Sequence, residues 1–210
     1  MLPFTHEQFL AVFAAYNDAV WPAQAVAYLA GAAICTAIAA RTAIAPALAA
    51  FGLAAMWLWT GVAYHWVFFS RVNPAAGAFG AAFVAQGVLF TAAAVRRRLQ
   101  FAAVRQLQCV AGWVLVAYSA LVYPAIGALN GVHYPAAPVF GITPCPLAIF
   151  SFGVLLLARS SPWWLLPIPV AWSAIGASAA WQLAIPQDWA LPLSAAAGAM
   201  LWYRQRATAA

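Results

Sequence analysis

The chain has 210 residues, 67% of them hydrophobic and 6% charged, with a mean hydropathy of +0.89. Soluble domains carry roughly 25% charged residues, so a water-soluble monomer is excluded, and so is a disordered chain, which would be polar and poor in aromatics. The +6 charge comes from nine arginines, no lysine and three acids; the arginines are too scattered between apolar runs to make a nucleic-acid footprint, and membrane topology explains them better.

Residues 1–22 read as an interfacial segment. Thr5 can cap a helix, Gln8 completes a capping box, and Phe4 with Phe9 forms a hydrophobic staple. Phe9, Phe13, Tyr16 and Val20 then recur at helical spacing, with Glu7, Gln8, Asn17 and Asp18 between them. This pattern predicts a helix lying on the membrane surface and turning inward at Trp21-Pro22. There is no basic leader ahead of the first apolar run, which argues against a signal peptide.

A bilayer core about 30 Å thick needs roughly 20 apolar residues in a helix. Seven runs are candidates: 23–40, 45–69, 78–95, 107–129, 142–158, 163–183 and 189–203, the fifth and seventh being short. Their apolar character is continuous rather than alternating, which argues for helices over barrel strands. The expected fold is therefore an all-α integral membrane protein, one domain over 1–210, with seven transmembrane helices behind the interfacial helix. The segment Asn130–Pro146 contains Pro135, Pro138, Pro144 and Pro146 and reads as a stiff non-helical loop.

With seven spans, Arg41, Arg96, Arg97, Arg98, Arg105, Arg159, Arg204 and Arg206 fall on one side, without an acid. Arg71 alone falls on the other side, with Glu7, Asp18 and Asp188. The positive-inside rule then places the N-terminus outside and the C-terminus in the cytoplasm.

All three histidines, His6, His65 and His133, lie at the expected outer face, as does Cys145. Polar and ionisable groups are costly near a membrane, so their segregation to one face points to a site there. His65, His133 and Cys145 are the candidate metal ligands, because imidazole and thiolate bind zinc and copper. Cys145 lies between two prolines at a helix start, where the dipole favours a thiolate. Asp188 or Asp18 could add a ligand, orient a histidine or act as a base. Tyr64 could supply a hydroxyl, and Arg71 could pair with Asp188 or hold an anion. The spacing matches no metal motif, and plainer roles stay open: His65 bonding a loop carbonyl, His133 solvated in the loop and Cys145 packing a helix start.

The segments Pro3-Phe4-Thr5 to Tyr16-Asn17 and Trp21-Pro22-Ala23-Gln24 carry a resemblance, as do Gly61-Val62-Ala63-Tyr64-His65 and Phe140-Gly141-Ile142-Thr143-Pro144-Cys145-Pro146. Together they resemble an uncharacterised family of bacterial multi-pass membrane proteins over nearly the whole chain. The resemblance implies a bacterial inner-membrane location and carries no activity.

Three function classes follow. One is a zinc-dependent membrane hydrolase; seven spans with an outside N-terminus are similar to ceramidase-like hydrolases, although this chain has only three histidines. Another is a protein handling copper, another metal, a small molecule or a haem held by His65 and His133. The last is a passive transporter or channel, since no acid or lysine lies at mid-membrane to couple an ion. The expected partners are the lipid bilayer and a small molecule or metal ion, with no nucleic acid; self-association stays open.

Overall fold

A computed structural model describes residues 2–207. The first helix, α1 (His6–Ala19), starts as its sequence requires. Thr5 accepts from the Gln8 backbone, and the Gln8 side chain accepts from the Thr5 backbone. The Phe4 and Phe9 rings stack at 5.7 Å, forming the expected staple. Val12, Phe13, Tyr16 and Asn17 are buried, while Glu7, Gln8 and Asp18 are exposed. The chain then bends by 85° into α2 (Ala23–Ala39), at the expected Trp21-Pro22 turn.

The second apolar run is one long rod of mixed geometry. It begins as α3 (Ala45–Trp59), widens into a π-helix over Thr60–Phe68 and ends in a 3-10 turn at Phe69–Arg71. After α4 (Ala76–Val95), the next run repeats the device: α5 (Gln106–Ala117), a π segment over Tyr118–Val122, then α6 (Tyr123–Leu129). The remaining helices are α7 (Pro144–Leu157), α8 (Pro167–Leu183) and α9 (Ala190–Ala207). A single isolated bridge between Gln100 and Ser160 is the only β-pairing among the described residues.

Among the described residues, four helices are long and apolar enough to cross a membrane: Ala45–Arg71, Ala76–Val95, Gln106–Leu129 and Trp163–Leu183. Counting α1 and α2 as one broken span makes five. The other predicted spans are helical but fall short of that test. In particular α7, expected over 142–158, has 14 residues, about 21 Å at 1.5 Å per residue. Helix length and composition thus support four or five crossings rather than seven.

Instead of forming an outer wall, α7 is the hub of the bundle. Every residue from Pro144 to Leu157 is buried except Cys145. It packs against α3, α5, α8 and α9. Glycines permit the closest crossings. A Cβ on Gly153 would stand 3.0 Å from the Gly112 carbonyl oxygen, and the reverse distance is the same. Gly61 and Gly80 meet likewise, each imaginary Cβ 2.9 Å from the other's carbonyl oxygen. Such small-residue contacts let backbones approach where lipid offers little hydrophobic drive for helix association. Buried polar side chains tie the same elements together: Trp57 donates to Ser151 at 2.9 Å, and Gln108 donates to the Leu156 carbonyl at 2.7 Å.

Candidate functional site

The long loop after α6 is held by α1. Asn17 donates through Nδ2 to the carbonyls of Pro135 and Ala137, at 2.6 and 2.8 Å. Tyr16 donates to the Ile142 carbonyl and accepts from Trp59 Nε1, both at 2.8 Å. This anchoring settles where the candidate ligands go. His133 is exposed, in a cleft bordered by Trp21, Gln24 and Tyr28. The loop therefore does not fold His133 over the end of the second rod.

His65 is fully buried in a box of rings. Phe83, Tyr64, Trp172, Phe69 and Phe79 surround it, with centroid distances from 4.6 to 6.0 Å. Neither imidazole nitrogen has a hydrogen-bond partner. The π-helix explains how His65 and Tyr64 can be buried together. Its i→i+5 bonding widens the turn, and the buried positions recur as Thr60, Gly61, Tyr64 and His65.

Cys145 and Asp188 do meet, in a cavity of about 90 Å³ at the α1 end of the bundle. Asp188 sits on the 3-10 turn Pro186–Trp189 and is 3% exposed. The Tyr123 hydroxyl donates to its Oδ1 at 2.5 Å, and the Cys145 thiol lies within hydrogen-bonding reach of the same carboxyl. Burial is the main cause that lifts the Asp188 carboxyl to about 6; hydrogen bonds from Tyr123 and Cys145 pull it partly back. Cys145 is the one partly accessible residue of α7 and it lines this cavity.

The cavity's other walls are largely aromatic. Phe4, Phe9 and Phe13 of the N-terminal segment, Tyr64, Phe69 and Phe79, and Trp172 of α8 line it, the Trp172 ring standing edge-on to Phe79 at 5.4 Å. Tyr64 is sandwiched between Phe13 at 5.2 Å and Phe69 at 5.5 Å. Tyr64, Phe69, Phe79 and Trp172 also face His65, so the imidazole lies one layer of rings behind the cavity.

Of the residues singled out from sequence, Tyr64, Cys145 and Asp188 are brought together. The trio His65, His133 and Cys145 is not assembled, and among the described residues no three His, Cys, Asp or Glu side chains converge. Asp18 is exposed on α1, away from the cavity lining. Arg71 does not pair with Asp188; its guanidinium lies 4.9 Å over the Phe68 ring and donates to the Val67 carbonyl. His6 is exposed, with Nδ1 3.0 Å from the Leu183 carbonyl oxygen.

Sequence reasoning missed Tyr123 and Trp172. Both are aromatics with a polar tip, the type that needs a partner when buried, but their apolar surroundings concealed them. No curated protein and no solved structure matches the chain. From residue 6 to residue 210 it matches the family of unknown function DUF6064, and the chain belongs to that family.

Proposed function

We propose that the protein is a multi-pass membrane protein that binds a small molecule in the cavity around Asp188, Cys145 and Tyr123. The observation that carries this reading is a carboxyl enclosed by aromatic walls. Burying an ionisable group in apolar surroundings costs several kcal/mol, which a purely structural position would avoid with an apolar side chain. A largely apolar pocket with a few convergent polar groups is the ordinary form of a small-molecule site.

Exposed leucines support the membrane setting: Leu29, Leu121 and Leu193 are 71%, 67% and 71% accessible and are suited to lipid contact. The cavity lies at the end opposite the arginine-bearing connections, where Arg159 donates through its backbone to the Gln100 carbonyl at 2.8 Å. With the positive-inside rule, this supports an extracytoplasmic site in a bacterial inner membrane.

Binding is favoured over metal-dependent hydrolysis on the donor set. Asp188 and Cys145 are two candidate ligands, whereas catalytic zinc uses three. His65 stands behind the ring layer, and His133 opens to another cleft.

Native mass spectrometry of gently solubilised protein tests the reading. A small molecule should be retained by the wild type and lost from Ala179→Phe, which fills the cavity from α8. A wild type that is empty, and whose unfolding temperature no small amine, alcohol or hydrocarbon shifts, would overturn it.

A further inference from the structure

We propose that the ligand of this cavity carries a compact ammonium group, seated against the aromatic walls with Asp188 as its counter-charge. This inference rests on the reading of the cavity as a small-molecule site and names the chemistry that the site selects.

The walls present the rings of Phe4, Phe13, Tyr64, Phe79, Tyr123 and Trp172. Aromatic faces carry negative charge density and attract cations, most strongly where water is excluded. Among the described residues the only carboxyl in the lining is Asp188, and no arginine, lysine or histidine lines the cavity. Arg71, the cation expected on this side of the membrane, is held by Phe68 and Val67 instead. The carboxyl's hydrogen-bonding neighbours, Tyr123 and Cys145, are a hydroxyl and a thiol.

These facts discriminate among ligands. An anion would be repelled by Asp188 and by the ring faces. A neutral ligand would leave an ionised carboxylate uncompensated in apolar surroundings. A cation answers both features at once. Size narrows the class further: the cavity is about 90 Å³, smaller than the ~150 Å³ cavity known to accept benzene. A primary ammonium on a chain of one or two carbons fits that scale, as a free amine or as the head of an ethanolamine lipid.

The groups facing Asp188 are Tyr64, Tyr118, Tyr123 and Cys145. Phenols and thiols ordinarily ionise above pH 8, so Asp188 is the group whose charge changes between pH 5 and pH 8.

Calorimetric titration of the purified full chain with ethylammonium and with ethanol, two solutes of like bulk and different charge, decides the matter. At pH 8 the cation should bind at least ten-fold tighter than the alcohol, and Asp188→Asn should abolish that preference. Should Asp188→Asn fail to fold, the wild type alone suffices, because its affinity for the cation should fall several-fold at pH 5 while that for the alcohol stays constant. Repeating the titration in phosphatidylglycerol nanodiscs with and without phosphatidylethanolamine identifies the source. Competition by phosphatidylethanolamine supports a lipid headgroup, and its absence a free amine. Equal or tighter binding of ethanol at pH 8, or pH-independent cation binding, overturns the ammonium assignment and leaves the small-molecule site standing. Binding of neither solute overturns both.

Discussion

Tyr123 and Asp188 are 65 residues apart in sequence and share a hydrogen bond of 2.5 Å in the interior. The tyrosine opens α6 directly after the π segment Tyr118–Val122, and the aspartate occupies the short turn that leads into α9. Their pairing joins two elements and leaves a carboxyl facing a ring-lined cavity. Thiol, phenol and carboxyl thereby share one enclosed space, although each comes from a different segment.

The buried carboxyl makes stability depend on pH. Asp188 titrates near 6 in the folded protein against 3.8 for the free side chain. The unfolded chain therefore loses its proton first, and stability falls as pH rises from about 4 through about 6. Asp188→Asn should raise stability at pH 8 by about 3 kcal/mol and leave it nearly unchanged at pH 4. Thermal unfolding in detergent at both pH values checks this; an equal effect at both would refute it.

His65 has two buried nitrogens without a partner. Removing an unsatisfied polar group offsets the loss of ring contacts, so His65→Leu should cost less than about 1 kcal/mol. A loss above about 3 kcal/mol in the same unfolding measurement would show that a partner for the imidazole is present in solution.

Two glycines in neighbouring elements should respond oppositely to alanine. At Gly61 the new methyl would meet the Gly80 carbonyl oxygen at 2.9 Å and the Val84 backbone nitrogen at 3.0 Å. Neither atom belongs to a flexible side chain, so Gly61→Ala should destabilise by about 1–3 kcal/mol. At Gly77 nothing lies within 4 Å, and Gly77→Ala should add up to about 1 kcal/mol through helix propensity. Unfolding midpoints of both variants that move in the same direction would contradict this packing.

Loss of the α1 cap should loosen the cover of the cavity. Thr5→Ala removes the acceptor for the Gln8 backbone N–H and should cost about 1 kcal/mol. Amide hydrogen exchange over His6–Phe13 should speed up, with little change in α7. Unchanged exchange in α1 would show that the staple and the packing of Phe13, rather than the cap, hold this helix.

The arginine asymmetry predicts the orientation of the chain in the membrane. Reporter fusions after Arg98 and after Ala210 should both read cytoplasmic. A periplasmic signal from either would overturn the expected orientation.

Composition and apolar run length were enough to read a helical chain with membrane-length segments, because the cost of exposing that much apolar surface leaves few alternatives. The start of α1 was also legible, since a capping box, a staple and a following Pro are local interactions encoded within a few residues. Phe13 and Tyr64 illustrate the limit of local reading: one was read on the apolar face of the interfacial helix and the other as a hydroxyl beside His65, yet their rings stack at 5.2 Å to build a cavity wall. The π segments were invisible because a helix that is apolar nearly all round carries no periodic signal to reveal a change of pitch. His65, His133 and Cys145 share a face by sequence parity, but parity fixes only depth. That the three stay apart was decided by Asn17 holding the proline-rich loop, by the ring box around His65, and by the burial of α7 at the centre of the bundle. Those are contacts between distant segments, and only the tertiary structure determines them.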